Sequence, residues 1–341
     1  MELQNIWFFI WGLLWAIYFM TDGFDLGIGT LVPFLGKSDE DRKVMYNAMG
    51  PLWDGNEVWL LTAGGVTFAA FPKVYAVMFS SLYSALMLIL FALIVRGVSL
   101  EFRSKVESPG WRRLWDICLF LGSLLPAILF GAAFANIFRG LPIDGSGIYQ
   151  GTLFTLLNPY GLLGGVLFLL LFLEHGAIML AIKSESGLHD RAAAAARHIW
   201  PVLLVVAVVF LAATKFATTL YDNYLASPML LLCVAVTVAA LLAIRVYLSK
   251  GAFWKAWFSS ALTIVGATFF GVIGLFPRMF PSSINPDFNL TAHNASSSPL
   301  TLKIMLIVAL IFVPIVLAYQ LWTYNLFKGK ISKEDLAYEE S

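Results

Sequence analysis

Two carboxylates stand three residues apart, Asp22 and Asp25 in "TDGFDLGIG", directly after the apolar run "WFFIWGLLWAIYFM". That spacing puts both on one face of a helix. Gly23, Gly27 and Gly29 around them allow another backbone to approach closely. The spacing recurs in "PLWDGNEVWLL", where Asp54 and Glu57 follow Trp53. An ionisable residue near mid-bilayer costs roughly 2.5–3.5 kcal/mol on insertion scales, so one that persists has a partner, a hydrated cavity or a task. Four acids among tryptophans point to a polar, partly hydrated pocket suited to relaying protons. Plainer readings stand beside this one. Asp54 with Glu57 is close to a capping box, and Asp22 can lie near the membrane interface.

A second anomaly is Glu174-His175 in "LLFLEHGAIML". His175 is the one histidine of four inside an apolar run, whereas His189, His198 and His293 fall in loops or at segment ends. Bis-histidine haem ligation needs a second membrane histidine. A hydrogen-bonded histidine inside a helix bundle is the simpler expectation, with a proton-relay role beside Glu174 as the alternative. Cys118 and Cys233 lie in separate apolar runs and form neither a disulfide framework nor a CxxC pair; they read as small buried hydrophobes. No metal site is expected. HExxH, GxGxxG, P-loop and nucleophile-elbow patterns do not occur.

The elements that must position these residues belong to a membrane. The chain is 60% hydrophobic and 13% charged, about half the charged share of a soluble domain. With 22 basic and 21 acidic residues it presents no basic patch for nucleic acid. A hydrocarbon layer about 30 Å thick takes roughly 20 apolar residues per helix. Eight runs qualify: 6–31, 74–95, 114–136, 158–182, 199–220, 228–248, 259–277 and 303–327. The first has no preceding Lys or Arg and no small-residue cleavage site, so it is expected to be a retained span. A shorter, glycine-containing run at 58–71, "VWLLTAGGVTFAAF", ends before Pro72 and is expected as a buried, re-entrant or interfacial helix. The fold class is therefore all-α and integral to the membrane.

With eight spans, 14 of the 22 basic residues collect on one side, which places that side and both termini in the cytoplasm. Loops 32–57 and 279–302 then face outward, and Arg139 and Lys215 snorkel from segment ends. A single membrane domain, 1–341, divides into four-span halves at 6–183 and 199–327, followed by a tail at 328–341. On these features alone a proton-coupled membrane transporter fits well.

The blocks "TDGFDLG", "GPLWDGNEVWLLTAGG", "FRSKVE", "LNPYGLLGG", "MFPSS" and "TLKIMLIVALIFVPIVLAYQLWTY", ending in "KISKED", together resemble subunit II of cytochrome bd-type ubiquinol or menaquinol oxidase. The likeness runs over nearly the whole chain. It implies a multi-pass subunit in the plasma membrane of a prokaryote, part of an aerobic respiratory enzyme. Such an enzyme oxidises quinol, reduces dioxygen to water with cytoplasmic protons, and builds a proton gradient without pumping. The resemblance further implies two four-helix bundles and no haem in this subunit. Two haems b, one haem d and the quinol-oxidising loop would belong to subunit I, the partner. A small single-span third subunit and a bound quinone or lipid complete the expected complement. Asp25, Asp54 and Trp53 match acidic and aromatic positions tied to assembly with the haem partner or to proton access. Asp22 and Glu57 join them as the candidate proton path or partner interface. Glu174 and His175 form a candidate relay.

Overall fold

The protein is described here by a computed structural model covering residues 2–331. Thirteen α-helices follow one another in these residues: α1 (Leu3–Leu35), α2 (Asp39–Met49), α3 (Trp53–Ala70), α4 (Pro72–Ser81), α5 (Tyr83–Phe102), α6 (Pro109–Arg139), α7 (Leu153–Leu156), α8 (Pro159–Lys183), α9 (Ser186–Ala217), α10 (Tyr221–Ala226), α11 (Leu231–Ser249), α12 (Phe253–Leu275) and α13 (Pro299–Leu326). Strands β1 (Arg278–Phe280) and β2 (Leu290–Thr291) form a small antiparallel hairpin within the 279–302 loop. Helices α1, α5, α6, α8, α9, α11, α12 and α13 are long and apolar enough to cross a membrane. The chain is thus an all-α membrane protein with the eight expected spans.

The second span lies later than its hydropathy run. The helix is interrupted at Leu82, so 74–95 is divided between α4 and α5, and the span extends on to Lys105. Pro72 opens α4, and a proline disfavours helix at the residue before it, which ends α3.

Helix α3 is longer than the 58–71 run. It starts at Trp53 and lies antiparallel along α1: Trp11 Nε1 donates to Thr67 Oγ1 at 3.0 Å, and Asn56 Nδ2 to Asp25 Oδ2 at 2.7 Å. Its 18 residues rise about 27 Å, close to the hydrocarbon thickness. Asp54, Asn56 and Glu57 in its first turns hide it from hydropathy. With this additional leg, α1 and α13 run parallel. Trp7 Nε1 donates to Leu302 O at 3.0 Å near one end, and Phe24 meets Tyr324 edge-on at 6.3 Å near the other. Leu3 and Leu326 therefore lie at opposite ends of the bundle. The eight-span count, which sets the start of the first span and the end of the last on one face, does not fit this geometry, and loops 32–57 and 279–302 also lie at opposite ends.

The helices close two rings. One comprises α1, α3, α5 and α6, and the other α8, α9, α11 and α12, with α13 outside against α1 and α3. Helix α8 joins the second ring through Tyr160 on Thr214 of α9 and His175 on Ser260 of α12. The rings meet where glycines let backbones touch. A Cβ on Gly27 would collide with the Phe172 carbonyl, and one on Gly131 with the Gly164 carbonyl.

At the Arg103 end, α2 lies across the helix tips. A capping box joins Ser38 and Asp41 at its start. Asp39 pairs with Arg103 at 2.8 Å and Arg112 at 3.0 Å, and Asp41 with Arg191 at 2.6 Å. Arg42 and Arg103 converge on Asp116 at 2.8 and 2.7 Å. Burial alone would raise the Asp39 carboxyl. The Arg103 hydrogen bond and the charges of Arg103, Arg112 and Lys43 outweigh it and hold that carboxyl below the usual range. Asp41 is likewise held down, because the Ser38 and Lys37 amides and Arg191 overcome burial.

Candidate functional site

The helical spacing turns Asp22 and Asp25 inward together, and both are buried. From α5, Arg96 reaches Asp22 with two parallel hydrogen bonds, Nη1 to Oδ2 at 3.1 Å and Nη2 to Oδ1 at 2.7 Å. Its Nη2 also donates to Glu57 Oε1 of α3 at 2.6 Å. Arg96 and Asp22 have no exposed side-chain surface, whereas Glu57 retains 25% and opens into a groove between α3 and α5. Trp53 covers that groove. Its ring approaches Gly97 so closely that a Cβ there would stand 3.1 Å from it.

Asp25 is held from another side. Asn56 donates to Oδ2, while Oδ1 has no partner among the described residues. Asn56 Oδ1 accepts from Tyr324 O–H at 2.8 Å and Gln320 Nε2 at 3.3 Å, and Gln320 Oε1 accepts from Trp59 Nε1 at 2.8 Å. Tyr18 O–H, Arg96 Nε and Ser123 Oγ are further buried polar atoms without a protein partner among these residues. Polar atoms of this kind suit ordered water. Two carboxyls share one guanidinium and a third, Asp25, lies one helical turn from Asp22, so the cluster can take up protons without accumulating positive charge.

The candidate residues separate into two groups. Asp22, Asp25 and Glu57 come together, with Trp53 at the rim. Asp54 does not join them. It is exposed in the first turn of α3, and the N-cap is Leu52 without a side-chain bond, so no capping box forms either. Arg96 is the key residue that sequence reasoning missed. Placing the span at 74–95 left it just outside, among the loop cations. The signal was available: "GVSL" continues the apolar pattern beyond it. Asn56, Gln320 and Tyr324 carried no comparable signal.

Glu174 and His175 are adjacent in sequence and both buried, but no hydrogen bond joins them. His175 Nε2 lies 3.0 Å from the Met20 carbonyl, which can only accept, so this nitrogen carries the proton. Nδ1 then accepts from Ser260 O–H at 3.1 Å, and the ring stacks on Trp257 at 5.0 Å. Glu174 has neither oxygen bonded among the described residues. With both ring nitrogens engaged, His175 does not fit the role of haem ligand, and no group of three metal-ligating side chains occurs among the described residues.

The paired rings with an outer helix define a class. The chain superposes on "The structure of bd oxidase from Geobacillus thermodenitrificans" with a TM-score of 0.79, covering 96% of this chain and 99% of that one. Identity there is 14%, so this likeness establishes the fold, that of a bd-oxidase membrane bundle. The sequence pattern described as "Cytochrome bd terminal oxidase subunit II" matches residues 3–327. "Cytochrome bd ubiquinol oxidase subunit 2" of Bacillus subtilis is 38% identical over 99% of both chains. "Cytochrome bd-I ubiquinol oxidase subunit 2" of Escherichia coli K12 is 38% identical over 98% of this chain and 96% of its own. "Probable cytochrome oxidase subunit 2" of Haemophilus influenzae is also 38% identical, over 96% and 95%. The chain belongs to the cytochrome bd terminal oxidase subunit II family, which sets the transporter reading aside.

Proposed function

We propose that this chain is the haem-free subunit of a quinol-oxidising, dioxygen-reducing complex in a prokaryotic plasma membrane, with two haems b and one haem d in subunit I. The full engagement of His175 supports a haem-free role. The buried Arg96–Asp22–Glu57 cluster carries the functional reading. It bridges three helices of the first ring and opens at Glu57 into a groove of about 420 Å³.

Reduction of dioxygen to water consumes protons, and this cluster is suited to handling them. In the proposed path, protons enter at the Arg103 end, where Asp116 lies, and pass Ser123 to reach Asp22 and Asp25. Arg96 holds the cluster together electrostatically. The face made by α3, α5 and α13 receives subunit I. Leu61, Phe68 and Tyr83 stand 74%, 60% and 62% exposed there and line one apolar cavity beside the groove. Asp54 and Trp53 belong to that interface more than to the proton path. A small third subunit and a bound quinone or lipid fit the same complex.

Orientation follows from the charges. Among the described residues, fifteen basic side chains lie at the end carrying α2, five lie at the opposite end, and Arg96 is buried between them. The positive-inside rule makes the α2 end cytoplasmic. Leu3 then starts outside, and α13 ends in the cytoplasm.

The test is substitution in the assembled complex. Asp25→Asn and Glu57→Gln should lower quinol oxidase turnover about tenfold or more while haem content stays near wild type. Wild-type turnover in both variants would overturn the proton-handling role.

A further inference from the structure

Helix α13 is the least buried of the spanning helices and meets the bundle along a single stripe. In its first half that stripe is apolar: Leu302, Leu306, Ala309 and Val313. Pro314 follows and removes one backbone donor, and beyond it the stripe turns polar with Gln320 and Tyr324. An apolar stripe is enough to dock a helix in this position. The two polar residues act on one group, the Asn56 side-chain amide.

An amide has a donor end and an acceptor end of nearly the same shape, and its neighbours decide which way it faces. Tyr324 O–H and Gln320 Nε2 both donate to Asn56 Oδ1, which turns Nδ2 toward Asp25 at 2.7 Å. Gln320 is fixed in turn by Trp59 Nε1 on its own oxygen. Without those donors the amide is free to turn its oxygen toward Asp25.

We propose that Tyr324 and Gln320 are positioning residues for the buried acid cluster: by fixing Asn56 they make it present a donor to Asp25, so the outer helix conditions how that carboxyl handles protons. The inference rests on the proton-handling reading above. It assigns to α13 a role beyond filling space, acting through hydrogen bonds that span more than 260 positions of sequence.

The test measures quinol oxidase turnover across pH in the purified complex, with kcat and KM for quinol resolved and haem content determined. Tyr324→Phe keeps the ring against Phe24 and removes only the hydroxyl. Combined with Gln320→Leu it should lower kcat about fivefold and displace the pH profile, with KM and haem content near wild type. Leu232→Ala, on the exposed surface of α11 in the second ring, serves as control and should change none of these. A pH profile and kcat unmoved in the double variant would overturn the proposal, as would loss of haem or stability without any displacement in Tyr324→Phe alone. Asp25→Asn separates the two readings. Wild-type turnover there defeats the proton-handling role itself, whereas lost turnover together with an unmoved Tyr324→Phe profile defeats only the positioning role.

Discussion

Arg96 is the residue on which the first ring depends. Its guanidinium is buried with two carboxylates bonded to it, and removing one partner from such a group leaves uncompensated buried charge, at about 3–5 kcal/mol. Arg96→Leu should therefore abolish assembly of a haem-retaining complex, read as haem content after purification. Arg96→Lys should recover it only in part, because an ammonium cannot reproduce the paired contact with Asp22. An Arg96→Leu complex with full haem and an unchanged melting temperature would contradict this. At this scale the sequence was half legible. Asp22 and Asp25 stood out because fourteen near-apolar residues lead into them. Arg96 was misread because its span was placed several residues too early. Asn56 was invisible, since its partners Gln320 and Tyr324 lie 264 and 268 positions away.

Two elements, α1 and α2, give contrasting predictions. Helix α1 touches α8 backbone to backbone at Gly27. Gly27→Val should destabilise the fold by about 1–3 kcal/mol or more through overpacking, read as a lower melting temperature of the complex. Helix α2 is instead held by ion pairs at the surface. Asp39 and Asp41 have carboxyl pKa values depressed in the folded state, so their contribution is present above the unfolded value, about 3.9, and is lost as pH falls through the folded one. Protease cleavage in the 36–38 linker should accelerate on acidification below about pH 4 and in high salt, with the spanning helices intact. Cleavage indifferent to both would show that α2 is held by its apolar face. Long apolar runs made the eight spans legible. Helix α3 was not, because Asp54, Asn56 and Glu57 in its first two turns obscure the hydropathy signal, the latter two serving the buried cluster.

That one leg decides the topology of the whole molecule. Counting without it put both ends of the chain together and split the basic residues 14 to 8; counting with it sets Leu3 and Leu326 at opposite ends and, among the described residues, sharpens the split to 15 against 5. In a background without Cys118 and Cys233, Gln4→Cys should react with an impermeant thiol reagent from outside the cell and Gly329→Cys only from the cytoplasm. Labelling of both from one side would contradict the helix directions. The two-ring architecture came from family resemblance, since nothing in local periodicity assigns α8 to the second ring. The central claim is that this chain supports oxidase chemistry whose haem lies in a neighbouring subunit. The most direct measurement is to purify the tagged chain from native membranes, record its reduced-minus-oxidised spectrum, and then separate the subunits and locate the haem. A larger companion carrying haem b and haem d, with this chain colourless, is the predicted result; haem retained by this chain alone, or purification without a companion, would contradict it.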